Sequence, residues 1–135
     1  MTTLIKPKSL KQGDTVATIS LSWGGAGEIL HRYEIGKRRL QEVFGLNVIE
    51  TKNALKSADY ISKNPQARAE DLMEAFSDKS IKAIISIVGG EDSIRTLPYT
   101  DINVIRQNPK IFLGFSDTTV THFACYKAGL TSFYG

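Results

Sequence analysis

The sequence is sparing with reactive side chains: of its 135 residues one is cysteine and two are histidine. A lone cysteine, Cys125, excludes an internal disulfide and supplies no cluster of metal ligands, so neither a metal nor an organic cofactor is expected. No apolar run approaches the ~18 residues that a membrane-spanning helix requires. The opening stretch MTTLIKPKSLKQGD lacks the apolar core of a secretory signal, which makes the cytoplasm the expected address and gives no membrane partner. Charge of one sign is scarce too. Seventeen basic residues face 14 acidic ones, and the net +3 is spread along the chain without a block, so no nucleic-acid partner is expected. Internal repeats and low-complexity segments are absent.

What remains is the composition of a globular domain, 41% hydrophobic and 23% charged, at a length that suits one unit, residues 1–135. Apolar runs at 15–22 and 81–88 suit buried strands, the second being apolar at nearly every position, as strands covered on both faces are. Shorter candidates are 46–50, the run KIFLG at 110–114, and a strand beginning in TSFY at 131–134. Between them lie helical patterns. One runs from Glu28 to Phe44, with Tyr33, Gly36, Leu40 and Val43 on one face and Gly45 as its stop. Another begins at Asn64-Pro65, a cap followed by proline at the first helical position, with Ala69, Leu72, Met73 and Phe76 facing the core. A short helix leads to Pro98, a second covers about 101–106, and the last spans 118–128 before Gly129. Strands alternating with helices predict an α/β fold, an open and mainly parallel sheet with helices on both faces. Function in such sheets gathers at the carboxyl ends of the strands. Three loops fall there: 20–27, 89–92 and 115–118.

Each loop has two readings. In Gly114-Phe115-Ser116-Asp117-Thr118, a tight strand-to-helix turn would hold the Ser116 hydroxyl clear of the backbone and aim a helix N-terminus at it, as in a nucleophile elbow. Thr118 stands where G-x-S-x-G has its second glycine, and Ser116 or Asp117 could equally cap the helix. Gly89-Gly90 could expose backbone N–H groups to an anion, or could be a turn before a helix capped by Asp92. Gly24-Gly25-Ala26-Gly27 has neither dinucleotide nor P-loop spacing and reads as a substrate-lining loop or a plain connection. His31 is expected at the surface, and His122 lies about 9 Å along the helix from Ser116, too far to serve it directly. Cys125 is expected in the core, and Arg68 and Arg95 in surface ion pairs.

Taken together, GGEDSIRTLPYTDINVIRQNPKIFLGFSDTTVTHF (89–123), with HRYEIGKRRLQEVFG (31–45) and ARAEDLMEAFSD (67–78), resembles the LD-carboxypeptidase family of serine peptidases, closest to the branch of microcin C immunity proteins. The motifs that carry it are Gly89-Gly90, Leu97-Pro98-Tyr99-Thr100-Asp101, Asn108-Pro109-Lys110 and Gly114–Thr119. The resemblance implies a flavodoxin-like or class I glutamine amidotransferase-like N-terminal domain. It implies Ser116 as nucleophile, the backbone N–H groups of Asp117 and of Gly90 (or Gly89) as oxyanion hole, and Gly89, Glu91 and Asp92 beside the substrate. It also implies that Thr118 belongs in this elbow. Two substrate classes follow: an aminoacyl- or peptidyl-nucleotide amide, towards which GGEDS leans, or the L,D-peptide bond of a muropeptide. The family's Glu and His lie in a C-terminal domain beyond the elbow, and a homodimer is a further expectation from it. After Ser116 this chain has only Asp117 and His122 as candidates, so it is expected to be the nucleophile half of a longer enzyme and inactive alone. The rival expectations are a non-catalytic domain holding a small anionic or nucleotide ligand in the same loops, and a partner-binding fragment.

Overall fold

The computed structural model describes residues 3–135. Its elements in chain order are β1 (Thr15–Ile19), α1 (Gly25–Glu28), α2 (Leu30–Phe44), β2 (Asn47–Glu50), α3 (Ala58–Lys63), α4 (Pro65–Ser77), β3 (Ile81–Ser86), α5 (Ile102–Gln107), β4 (Ile111–Gly114), α6 (Thr119–Ala128) and β5 (Phe133–Tyr134). Two 3-10 helices, Ser93–Tyr99 and Ser116–Thr118, fill the connections after β3 and β4. The five strands form one parallel sheet in the order β2-β1-β3-β4-β5. Chain direction across the sheet reverses beside β1, and every strand points its carboxyl end to the same edge.

Side-chain alternation along the strands divides the core between two faces. Ala17, Ile19, Ile84 and Phe112 pack on one face against Leu72 and Phe76 of α4, Ile105 of α5 and Cys125 of α6. Val16, Val48 and Ala83 pack on the other, with Leu40 of α2 against them. The parallel α/β sheet with helices on both faces is thus as expected. All the strands are shorter than their apolar runs, because β1 and β3 stop at Ile19 and Ser86, where the backbone leaves the ladder to build the loops.

The helical pattern from Glu28 is broken at Ile29, whose dihedrals (φ −124°, ψ 57°) separate α1 from α2. Within α2 Tyr33 is buried but Val43 is 68% exposed, so the buried stripe is narrower than its spacing suggests. Asn64 does not cap α4 through its side chain. Its amide reaches back to the Tyr60 carbonyl within α3, a helix not anticipated from the sequence. At the opposite end of the chain order, Ile5 bridges to Leu130: its N–H donates to Gly129 O at 2.7 Å, and its carbonyl accepts from Thr131 N at 2.9 Å.

Candidate active site

β4 ends at Gly114, a position where nothing larger than glycine fits. A Cβ would lie 2.7 Å from Thr118 Oγ1 and 3.1 Å from Ser86 Cβ. Phe115 is extended, and Ser116 then takes φ +58°, the one non-glycine positive φ among the described residues. A left-handed conformation in a residue with a Cβ costs about 1–2 kcal/mol, so the surroundings must over-determine it. They do. Ser116 N–H donates to the Tyr134 hydroxyl at 3.0 Å, Thr119 Oγ1 donates to Ser116 O at 2.6 Å, and Thr118 Oγ1 donates to Phe115 O at 2.8 Å. Thr118 therefore closes the turn with its hydroxyl where a second glycine would close it by lacking bulk. Neither Ser116 nor Asp117 caps through its side chain.

The Asp117 carboxylate instead joins the three loops. It accepts from Ser22 Oγ and, at 2.8 Å, from Ser93 N, while Ser93 Oγ donates to the Asp117 carbonyl at 2.6 Å. Gly89 lies directly against the elbow, where a Cβ would sit 2.9 Å from Ser116 Cβ and 3.1 Å from its Oγ. Gly90 faces Ser22 and Trp23 as closely, and Trp23 N–H donates to Gly89 O at 3.3 Å. Among the described residues the N–H groups of Asp117 and Gly90 have no acceptor. An exposed hydroxyl, two unspent amides and a glycine in contact with that hydroxyl form the arrangement in which an oxyanion can be held.

Beneath the loops lies a charged brace. Arg68 was expected at the surface, but it is fully buried on α4 and donates to Leu21 O at 3.0 Å, Ser22 O at 3.3 Å and Asp92 Oδ1 at 2.9 Å. Arg95 reaches Asp92 Oδ2 at 3.0 Å and Ser62 O at 2.9 Å. Burial alone would raise the Asp92 carboxyl, but the hydrogen bonds and charges of the two guanidiniums outweigh it and hold the group below the usual carboxylate range. Asp92 thus spends its carboxylate on Arg68 and Arg95 and does not cap the following 3-10 helix. Glu91, next to it, is exposed.

His122 does not serve Ser116. Its Nδ1 lies 2.7 Å from Ser132 Oγ and its Nε2 2.7 Å from Gly114 O, with the ring edge-on to Phe112. His31 is exposed on α2, and Cys125 is fully buried, its thiol pushed up to about 12 by that burial. Sequence reasoning missed Ser22, Ser93, Tyr134 and the placement of Arg68. Only Arg68 left a trace: it shares a helical face with Leu72 and Ala75, which marks it as inward.

The left-handed turn at Ser116 lies at the carboxyl edge of a parallel α/β sheet, where the three loops meet. Residues 16–135 match the LD-carboxypeptidase N-terminal domain family, Peptidase_S66, and the chain belongs to that family. It is 35% identical to the microcin C7 self-immunity protein of Escherichia coli over 93% of this chain and 37% of that protein. It is 34% identical to a probable murein peptide carboxypeptidase of Bacillus subtilis over 96% of this chain and 40% of that protein. The crystal structure of an MccF-like protein from Streptococcus pneumoniae in complex with AMP superposes with a TM-score of 0.84 at 43% identity, covering 92% of this chain and 37% of that one. The chain thus spans about two fifths of the length of these relatives.

Proposed function

We propose that this chain is the nucleophile-bearing part of a serine-type amide hydrolase, with Ser116 as the attacking group. The observation that carries the reading is the left-handed Ser116 at a strand-to-helix turn, in contact with Gly89 and followed by the unspent amide of Asp117. A base supplied from outside these residues removes the Ser116 Oγ proton as Oγ bonds to the substrate carbonyl carbon. The carbonyl oxygen takes the negative charge and is held by Asp117 N–H and Gly90 N–H. The C–N bond breaks as the base returns the proton to the leaving amine, and water releases the acyl group by the reverse sequence. Gly89 gives the carbonyl close access. Glu91 borders the substrate with a free carboxylate, and Asp92 shapes that border from its pairing with the arginines.

The substrate class is an aminoacyl- or peptidyl-nucleotide amide. The AMP complex of the pneumococcal relative and the self-immunity protein of Escherichia coli support it. The Bacillus subtilis relative supports the muropeptide alternative. Binding of a ligand or of a partner without turnover, the remaining alternatives, would leave the strain at Ser116 without a use.

The test sets the 135-residue chain beside a longer polypeptide that supplies a Glu and a His, each offered an aminoacyl sulfamoyl adenosine and a muropeptide, with products followed by mass spectrometry. The expected outcome is hydrolysis of the nucleotide amide by the longer polypeptide alone, abolished by Ser116→Ala. Turnover by the 135-residue chain that Ser116→Ala removes would place the base within these residues. Turnover that survives Ser116→Ala would end the nucleophile reading.

A further inference from the structure

At the amino edge of the sheet, opposite the elbow, a cleft of about 560 Å³ opens between the N-terminal arm, the α4–β3 turn and the segment entering β4. Six lysines line it: Lys6, Lys8, Lys11, Lys79, Lys82 and Lys110. One carboxylate, Asp14, lines it with them. The lysines exceed that carboxylate by five, more than the net +3 of the entire chain, so the rest of the molecule is net acidic. They come from three separated segments, and like charges drawn together raise the free energy of the fold unless something offsets them. Among the described residues none of the six forms a salt bridge, and only Asp14 and Asp78 oppose their charge nearby. Asp14 accepts from the Lys11 backbone N–H, and the nearby Asp78 carboxylate accepts from Ser80.

Lys110 makes the cleft more than a solvated rim. It is only 7% exposed, and its ammonium donates to two carbonyls, Ala75 O at 2.8 Å and Asp78 O at 2.6 Å, leaving a third N–H. Burial pushes its pKa down to about 8; Asp78 opposes the shift and Lys82 adds to it. A buried ammonium fixed by neutral acceptors, with other lysines around it, is short of an anion. The cleft also has apolar lining in Pro7, Phe76, Ile81 and Pro109.

We propose that this cleft is a second binding site, for a small phosphorylated ligand carrying two or more negative charges. Its cations are all lysines, point charges with rotatable donors of the kind that bind phosphate groups. Its volume matches a ligand of nucleotide size. The site shares no residue with the elbow and stands independently of the hydrolase reading.

The test is calorimetric titration of the chain at low ionic strength with pyrophosphate, and with sulfate as a control of lower charge. Pyrophosphate is expected to bind saturably with a Kd below about 1 mM. Sulfate should bind at least about tenfold more weakly, as its smaller charge dictates. The double variant Lys79→Glu/Lys82→Glu alters exposed residues, keeps the fold and should weaken pyrophosphate by about tenfold or more. Ser116→Ala should leave binding unchanged. The proposal is overturned by an absence of saturable binding, by equal affinity for sulfate, by indifference to the charge reversal, or by loss of binding in Ser116→Ala.

Discussion

Ser116 and Arg68 serve the same cluster of loops and are built in opposite ways. Ser116 is exposed, holds its backbone in a strained region and is followed by the idle amide of Asp117. Arg68 has no exposed surface, and its guanidinium is bound to two carbonyls and a carboxylate. Strain and unspent donors are tolerable at the first because the second removes the freedom of the loops around it. Chemistry and stability are thus assigned to different residues of one site, which makes them separable by mutation.

The sharpest separation is expected from Ser116→Ala in an active, longer polypeptide. Its turnover should fall by about 10⁴-fold or more, with the unfolding midpoint nearly unchanged. Arg68→Met should do the reverse, costing about 3–5 kcal/mol in urea denaturation because Asp92 and two carbonyls lose a buried partner. A loss under about 1 kcal/mol would show that the brace is dispensable. Gly114→Ala tests whether the turn tolerates bulk. With its Cβ placed 2.7 Å from Thr118 Oγ1, it should cost about 1–3 kcal/mol and lower activity as well. Ser116→Gly should stabilise the isolated chain by about 1 kcal/mol, since glycine takes φ +58° without strain. A neutral or negative effect would mean the turn is relaxed with serine in place.

The smallest effect sharpens the same contrast through pH. The folded Asp92 carboxyl sits below its unfolded value. Its contribution to stability is therefore complete above about pH 4 and lost as the pH falls through the depressed folded value. Acid unfolding followed by circular dichroism should show this loss in the wild type and a reduced one in Arg95→Gln, which removes one of the two partners.

The sheet was readable because parallel strands buried on both faces leave continuous apolar runs, as at 81–88, and glycines mark their ends. The meeting of three loops at one edge followed from alternation alone, and Ser22, Gly89 and Asp117 are found there together. Hidden were features that depend on contacts distant in sequence. The break at Ile29 interrupts no pattern, α3 is a single short helix in a polar stretch, and the sign of φ at Ser116 is fixed by Tyr134 and two threonines. The destination of the Asp92 and Asp117 carboxylates could not be seen either, because a capping position and a loop tie have the same local composition.

The bridge between Ile5 and Leu130 has a consequence in time. It fastens the amino-terminal arm to the segment between α6 and β5, so this contact closes a loop of well over a hundred residues. On a ribosome, β1 to β4 are available to pair well before residue 130 leaves the exit tunnel, while the arm must wait for it. The arm is therefore secured only after β1 to β4 can pair, and it is released when a protease or a denaturant opens the segment after α6.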